Sequence, residues 1–217
     1  MMAKLTDLGF SKGIIAETIV STYDPKWKPN AAPMGVIMED DQHLAINLFD
    51  STKTCRYIKA NRCAVVNLTS NIEVFYKTAF KDANVDNKLP DEWFKKASTV
   101  NAPKLILADA TIDVAVKTLA PLDAEKTKAL FNVKLLEARA EYPQVPCRAM
   151  YQTLEAIILA TRVKAFVNDK KEQSRVCKLL EMIDNCNEVV NRTAPSSSYS
   201  VVMADLMKRI DSWGNSK

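Results

Sequence analysis

Two short stretches hold residue types suited to binding chemistry. Asn30-Ala31-Ala32-Pro33-Met34-Gly35 combines small side chains, which let a flat ligand approach the main chain, with Pro33 and Gly35, which fix its course. Exposed backbone N–H and C=O groups there can read the edge of a heteroaromatic ring. A tight turn leading into a strand uses the same residues. The second stretch, Ser51-Thr52-Lys53-Thr54, follows Asn47-Leu48-Phe49-Asp50 and opens a helical pattern. Three hydroxyls, one ammonium and the unpaired N–H groups of a helix start can cradle a phosphate. Ser and Thr at such a position also serve as ordinary caps.

Other reactive residue types point away from acid–base or metal catalysis. The five cysteines, Cys55, Cys63, Cys147, Cys177 and Cys186, include no C-x-x-C pair. The single histidine, His43, cannot complete a Cys/His zinc set, so no metal site is expected. One histidine also leaves few routes to a Ser-His-Asp or Cys-His arrangement, and beside Asp40-Asp41 it reads as a solvated turn residue. Cys55 and Cys63 read as small core residues, and Glu17 and Glu155 as structural or surface groups. A chain of 217 residues, 47% hydrophobic and 26% charged, fits one or two globular domains and excludes disordered, collagen-like and disulfide-stapled classes. The net charge of +4 is too small and dispersed to imply a nucleic-acid or membrane partner. Residues 144–217 hold 11 basic and 8 acidic side chains without a basic block, which again argues against nucleic acid. Met1 through Lys12 lacks the apolar core of a signal peptide, and the densest apolar run, Ala156 through Ala160, is far short of a membrane span. A reducing, cytoplasmic context is expected.

The hydrophobic period changes once along the chain. Ile14 to Val20, Met34 to Met38 and Leu44 to Phe49 read as a three-strand meander, with a loop from Tyr23 to Asn30 and a polar turn at Glu39-Asp40-Asp41-Gln42. Ser51 to Asn61 reads as a short helix capped by Asp50 or Ser51, and Ala64 to Leu68 as a strand. Residues Ile72 to Ala102 read as a polar excursion in which Pro90-Asp91-Glu92-Trp93 starts a helical turn. Asp109 to Leu119 and Ala129 to Tyr142 complete about six strands, suggesting a small antiparallel barrel rather than βαβ units. After Pro143 and Pro146 the spacing becomes helical in three stripes, around Met150–Thr161, Val176–Val190 and Val202–Ile210, separated at Asn168-Asp169 and Pro195-Ser196-Ser197-Ser198.

The stretch from Glu17 to Asn67 carries Asn30-Ala31-Ala32-Pro33-Met34-Gly35, Leu48-Phe49, Ser51-Thr52-Lys53-Thr54-Cys55-Arg56-Tyr57-Ile58 and Ala64-Val65-Val66-Asn67 in order. It resembles the FMN-binding split-barrel proteins related to flavin reductases, and among them the archaeal, functionally uncharacterised branch with a small helical C-terminal domain. Pro146-Cys147-Arg148 followed by Leu154 to Arg162 is similar to that branch's first C-terminal helix. The resemblance implies an α+β fold: a split antiparallel β-barrel over residues 1–143 and a three-helix domain over 144–217. It also implies a homodimer with FMN at the subunit junction.

Carried over by position, Ser51, Thr52, Lys53 and Thr54 would bind the phosphate and Arg56 would add charge. Asn30, Ala31, Ala32, Pro33 and Met34 would line the isoalloxazine through backbone atoms. Asn67 would hydrogen-bond ring or ribityl atoms, or else serve as a strand-end turn former. Flavin reductases of this superfamily often carry Lys-Asp-Thr near the phosphate helix, where this chain has Thr52-Lys53-Thr54. The implied function is an FMN-dependent oxidoreductase of the flavin-reductase type, with NADH or NADPH as donor, although no nicotinamide-recognition signature is visible. The alternatives are a flavin carrier without turnover and a homodimeric interaction scaffold. Flavin chemistry suits a chain with one histidine, because the cofactor accepts the electrons itself.

Overall fold

The computed structural model describes residues 4–139 and 147–214. Pro143 and Pro146, and the end of the strand expected to reach Tyr142, lie outside them. Contacts divide the chain into one unit of Met1–Thr69 with Phe80–Tyr142, and another of Ser70–Ala79 with Pro143–Lys217.

In the first unit, strands β1 (Ile15–Tyr23), β2 (Pro29–Asp40) and β3 (His43–Phe49) form the expected meander. Helix α1 (Lys53–Asn61) leads into β4 (Cys63–Leu68). Two long strands, β7 (Ala110–Pro121) and β8 (Lys126–Ala138), follow a short two-stranded sheet of β5 (Phe94–Lys96) and β6 (Pro103–Leu105). The six main strands close into an antiparallel barrel in the order β1-β2-β3-β8-β7-β4. Period-two alternation dictates which side chains fill it: Leu44, Ile46 and Leu48 of β3 are fully buried, and meet Val20, Val36, Val66, Ile112, Val114 and Phe131 from the other strands. Cys55 and Ile58 of α1 join the same core. Strand β4 is apolar on both faces: Ala64 and Val66 point into the barrel, while Cys63 and Val65 pack on Ala97 and Ala102 of the excursion.

The barrel is split at β2. Its ladder to β1 runs from Ile15↔Ile37 to Tyr23↔Pro29, but its ladder to β3 begins only at Val36↔Ile46. Residues 29–35 of β2 therefore pair on one side alone, and alternate residues direct N–H and C=O groups away from β1. The stretch Asn30–Met34, expected ahead of a strand, lies within β2 itself. The cap of α1 is Thr52, one residue beyond Ser51 and two beyond Asp50.

The second unit contains α2 (Ile72–Ala79), α3 (Arg148–Phe166), α4 (Gln173–Thr193) and α5 (Ser198–Gly214). Two of the expected stripes are buried as read, Val176, Leu179, Ile183 and Val190 of α4 and Val202, Met203 and Leu206 of α5. In α3 only Ile157 of the expected Met150, Leu154, Ile157, Ile158 and Thr161 is buried, Thr161 is exposed, and the buried face runs through Thr153, Ala156, Ala160 and Val163 instead. Ser197 caps α5 reciprocally, its Oγ accepting from the Ser200 N–H while Ser200 Oγ accepts from the Ser197 N–H. Residues 70–79, read from the sequence as part of the excursion between strands, belong to this unit, with Ile72, Val74, Phe75 and Tyr76 buried. Tyr76 donates to Asp205, which Arg209 also engages at 2.9 Å. That bond and burial push the Tyr76 phenol well above its ordinary range, burial being the larger cause.

One buried polar side chain ties the first unit together. Asn67 Nδ2 donates to Ile19 O at 2.8 Å, Ser21 Oγ at 2.9 Å and Val65 O at 3.1 Å, and Asn67 Oδ1 accepts from the Leu105 N–H at 2.8 Å. It thereby holds β1, β4 and β6 at one point. Replacing it strands groups that water cannot reach, at about 1–3 kcal/mol for each buried unsatisfied group. Asn67→Ala is expected to lower unfolding stability by about 2–4 kcal/mol, read as a lower urea midpoint with unchanged slope. A change of under about 0.5 kcal/mol would mean the network contributes nothing.

Candidate functional site

The open edge of β2 begins beside the N-terminus of α1. Asn30, 6% exposed, donates from Nδ2 to Thr54 Oγ1 at 3.4 Å. Its Oδ1 accepts from the Lys81 ammonium, which arrives from a short turn at Lys81–Ala83 anchored by buried Phe80. Asn30 thus stands between the helix start and a lysine 51 residues further along the chain. Burial, and secondly the nearby charge of Lys53, lower the Lys81 pKa from 10.5 to about 8. Among the described residues no carboxylate pairs with Lys53, Lys81 or Arg56. Two ammonium groups and the positive end of a helix converge there without a counter-anion.

The surrounding hydroxyls and acids explain this imbalance. Thr52 Oγ1 accepts from the Cys55 N–H at 3.2 Å and donates to Phe49 O at 2.8 Å, so that hydroxyl is spent on capping and chain direction. The N–H groups of Lys53 and Thr54 remain as first-turn donors with no intrahelical acceptor. Asp50, the acid closest in sequence, accepts from Lys59 at 2.6 Å, Thr127 at 2.6 Å and the Cys55 thiol at 3.4 Å. Those bonds, led by the one from Lys59, hold its carboxyl at about 2. Ser51, just ahead of the cap, and Arg56, in the helix, are both exposed.

Along β2, Ala31 is buried and Ala32, Pro33 and Met34 are half-buried, so the strand presents small side chains and main chain. Proline fits at Pro33 because only an edge strand can leave an N–H missing. Thr18 Oγ1 donates to Met34 O at 3.0 Å, and a Cβ on Gly35 would lie 2.7 Å from Ile15 Cγ2, which keeps this end of the edge glycine-thin. The structure therefore brings together Asn30, Lys53 and Thr54, lines up Ala31 to Met34 beside them, and leaves Ser51, Thr52 and Arg56 around the helix start.

Asn67 is the exception. It is fully buried, and its side-chain amide bonds Ile19, Ser21, Val65 and Leu105 within the barrel unit. Lys81 is the residue that sequence reasoning missed. Burial raises the thiol pKa values of Cys55 and Cys63, which keeps both as inert core thiols. His43 sits at the far turn between Asp40, 2.7 Å away, and Lys117, 2.9 Å away. Among the described residues no cluster of His, Cys, Asp and Glu is arranged to hold a metal, and no helix is long and apolar enough to cross a membrane.

A family model described as the protein of unknown function (DUF447) N-terminal domain matches residues 16–142. The chain belongs to the DUF447 family. An FMN-bound protein of this family from Methanosarcina mazei superposes with a TM-score of 0.77 at 22% identity, covering 95% of this chain and 99% of that one. The shared architecture therefore extends from the barrel into the helices. Component B of nitrilotriacetate monooxygenase from Bacillus cereus matches at 14% identity and a TM-score of 0.49, over 65% of this chain and 79% of that one. Flavoredoxin from Methanosarcina acetivorans matches at 14% identity and a TM-score of 0.47, over 60% and 72% of the two chains. These two are too distant to argue from. The DUF447 chain has the FMN-binding split-barrel fold expected from its sequence.

Lys81 makes the corner sensitive to pH. Below pH 8 it is charged in both the folded and the unfolded chain, and its burial counts against folding. Between about 8 and 10.5 the unfolded chain binds more protons, so this contribution to stability rises with pH. Lys81→Met is therefore expected to stabilise ligand-free protein at pH 7 by about 2 kcal/mol. The advantage should shrink towards pH 10, measured by denaturation in urea at each pH. A gap that is constant with pH would contradict the assignment.

Proposed function

We propose that the corner formed by Asn30, Lys53, Thr54 and Lys81 binds the phosphate of FMN. The isoalloxazine lies along the open edge of β2 from Asn30 to Met34. The observation that carries this reading is the pair of ammonium groups at a helix N-terminus, neither of them in an ion pair with a carboxylate among the described residues. A phosphate dianion supplies the missing charge and accepts the first-turn N–H groups of α1. The FMN-bound DUF447 protein from Methanosarcina mazei, alike over 95% of this chain and 99% of its own, supports the same ligand.

The residues present fit such a group: one flat edge of main chain, one anion cradle, and between them Asn30 to fix Lys81 towards the phosphate. FMN, when bound, supplies hydride or electron transfer through its ring system. The protein's part is then orientation. Lys53 and Lys81 hold the phosphate end, Ala31 to Met34 keep side chains out of the ring's plane, and edge N–H and C=O groups set its rotation. We read the chain as an oxidoreductase of the flavin-reductase type, with NADH or NADPH as donor. It acts as a homodimer whose second copy covers the edge of β2 that β3 leaves open. A carrier that holds flavin without turnover would use the same corner. Oxidation of NADH or NADPH by the loaded protein separates the two.

One FMN should bind per chain, and riboflavin, which lacks the phosphate, at least tenfold more weakly. Lys53→Ala and Lys81→Met should each weaken FMN binding by about 1–3 kcal/mol, the scale of a charge-assisted hydrogen bond, and leave riboflavin binding unchanged. Because a phosphate next to Lys81 favours its charged form, FMN binding at pH 8.5 should take up protons. Calorimetry in two buffers of different ionisation enthalpy reads this uptake, and it should vanish in Lys81→Met. Equal affinity for FMN and riboflavin would remove the phosphate role. Sedimentation at micromolar concentration should give a dimer that FMN tightens, and a monomer that binds FMN tightly would end the shared-edge model.

A further inference from the structure

A second site lies past the other side of Pro29. The turn between β1 and β2 and the segment around β5 enclose a cleft of about 310 Å³. Three aromatic side chains line it: Tyr23 and Trp27 meet with ring centroids 5.8 Å apart at 63°, and Phe94 is the third. Trp27 nevertheless stays 62% exposed, at φ 60°, in the left-handed region that bulky residues avoid. Its turn is fixed in that shape by Asp24, whose Oδ1 accepts from the Lys26 N–H at 2.7 Å and the Lys28 N–H at 2.9 Å. The Asp24 N–H donates to Lys28 O at 2.9 Å and the Trp27 N–H to Asp24 O at 3.0 Å. Four bonds thus hold a strained, solvent-facing indole over a hollow, which a purely structural tryptophan does not require.

The rim is basic. Lys28, Lys95 and Lys96 line the cleft, all exposed and none within ion-pair distance of a carboxylate among the described residues; Asp91 also lines it, and Lys95 in addition feels the charge of Glu137. Aromatic faces attract flat rings, and exposed lysines attract a negative group attached to them. The volume is at the lower limit for small-molecule sites, enough for one or two fused rings and a charged substituent. We infer that this cleft binds a planar aromatic anion, its ring against Trp27 and Phe94 and its carboxylate or phosphate on Lys95, Lys96 and Lys28. The site is separate from the FMN corner and does not rest on that reading.

Two probes share the required chemistry, 2-naphthoate and adenosine monophosphate. Their neutral counterparts, 2-naphthalenemethanol and adenosine, lack the charge. Calorimetric titration of the full chain, first with FMN present at saturation and then without it, should show one of the two anions binding at one site per chain. The neutral counterpart should bind at least fivefold more weakly, and the anion that binds identifies the source as carboxylate or phosphate. Trp27→Leu and the double variant Lys95→Gln/Lys96→Gln should each weaken the probe at least fivefold while FMN affinity stays within twofold. Quenching of tryptophan fluorescence by the probe should fall in Trp27→Leu. Binding of neither anion, equal binding of neutral and anionic probes, or displacement of the probe by FMN would overturn the site. So would conversion of a dimer to a monomer by Trp27→Leu, since the aromatic cluster would then be an interface. Trp27→Phe keeps an aromatic face, and its near-wild-type binding would separate loss of stacking from loss of fold.

Discussion

Beyond the Val36↔Ile46 pair, β2 keeps its partner β1 but loses β3, and everything proposed for the barrel follows from that divergence. A strand paired on both sides has no main chain to offer; a strand paired on one side offers alternate N–H and C=O groups along its length. The divergence also makes room at the barrel's end for α1, whose Cys55 and Ile58 seal the core while its first turn faces Asn30. The main-chain edge and the helix dipole are thus products of the same gap.

Electrostatics then distinguishes the two faces of α1. Asp50 is drawn to Lys59, Thr127 and Cys55, so the helix keeps a carboxylate at its flank. Around the first turn the arrangement is opposite: Lys81 is desolvated beside Lys53 and donates to a neutral amide oxygen, that of Asn30. Holding a partly buried ammonium beside another is unfavourable for an empty protein and useful for one that meets a dianion.

Much of the barrel was legible in the sequence because alternating apolar residues mark strands whatever their partners: β3 was predicted at Leu44 to Phe49 and runs from His43 to Phe49. The beginning of β2 was not, since Pro29 and Pro33 read as breakers and only an unpaired edge tolerates them. Helix α2 spans eight residues, too few turns for a period to emerge. Asn67 carried a real signal, a polar residue in the run Ala64-Val65-Val66-Asn67, but spacing cannot say whether such a group serves a ligand or the fold. Lys81 carried none: its partner is 51 residues away, and only the folded chain brings them together.

The chain leaves the barrel at Thr69 and returns at Phe80, so the helical unit is assembled from two passages, one internal and one C-terminal. Such a unit is not an appendage that a gene fusion could add or a stop codon could cleanly remove. A chain ending before α3 would still carry Ile72, Val74, Phe75 and Tyr76 on a two-turn helix, now with an apolar face and nothing to cover it. Barrel and helices are therefore interleaved along the chain and not joined end to end. Losing the tail requires redesigning the ten-residue passage inside the barrel's own sequence, and descendants of this architecture should keep or lose both segments together.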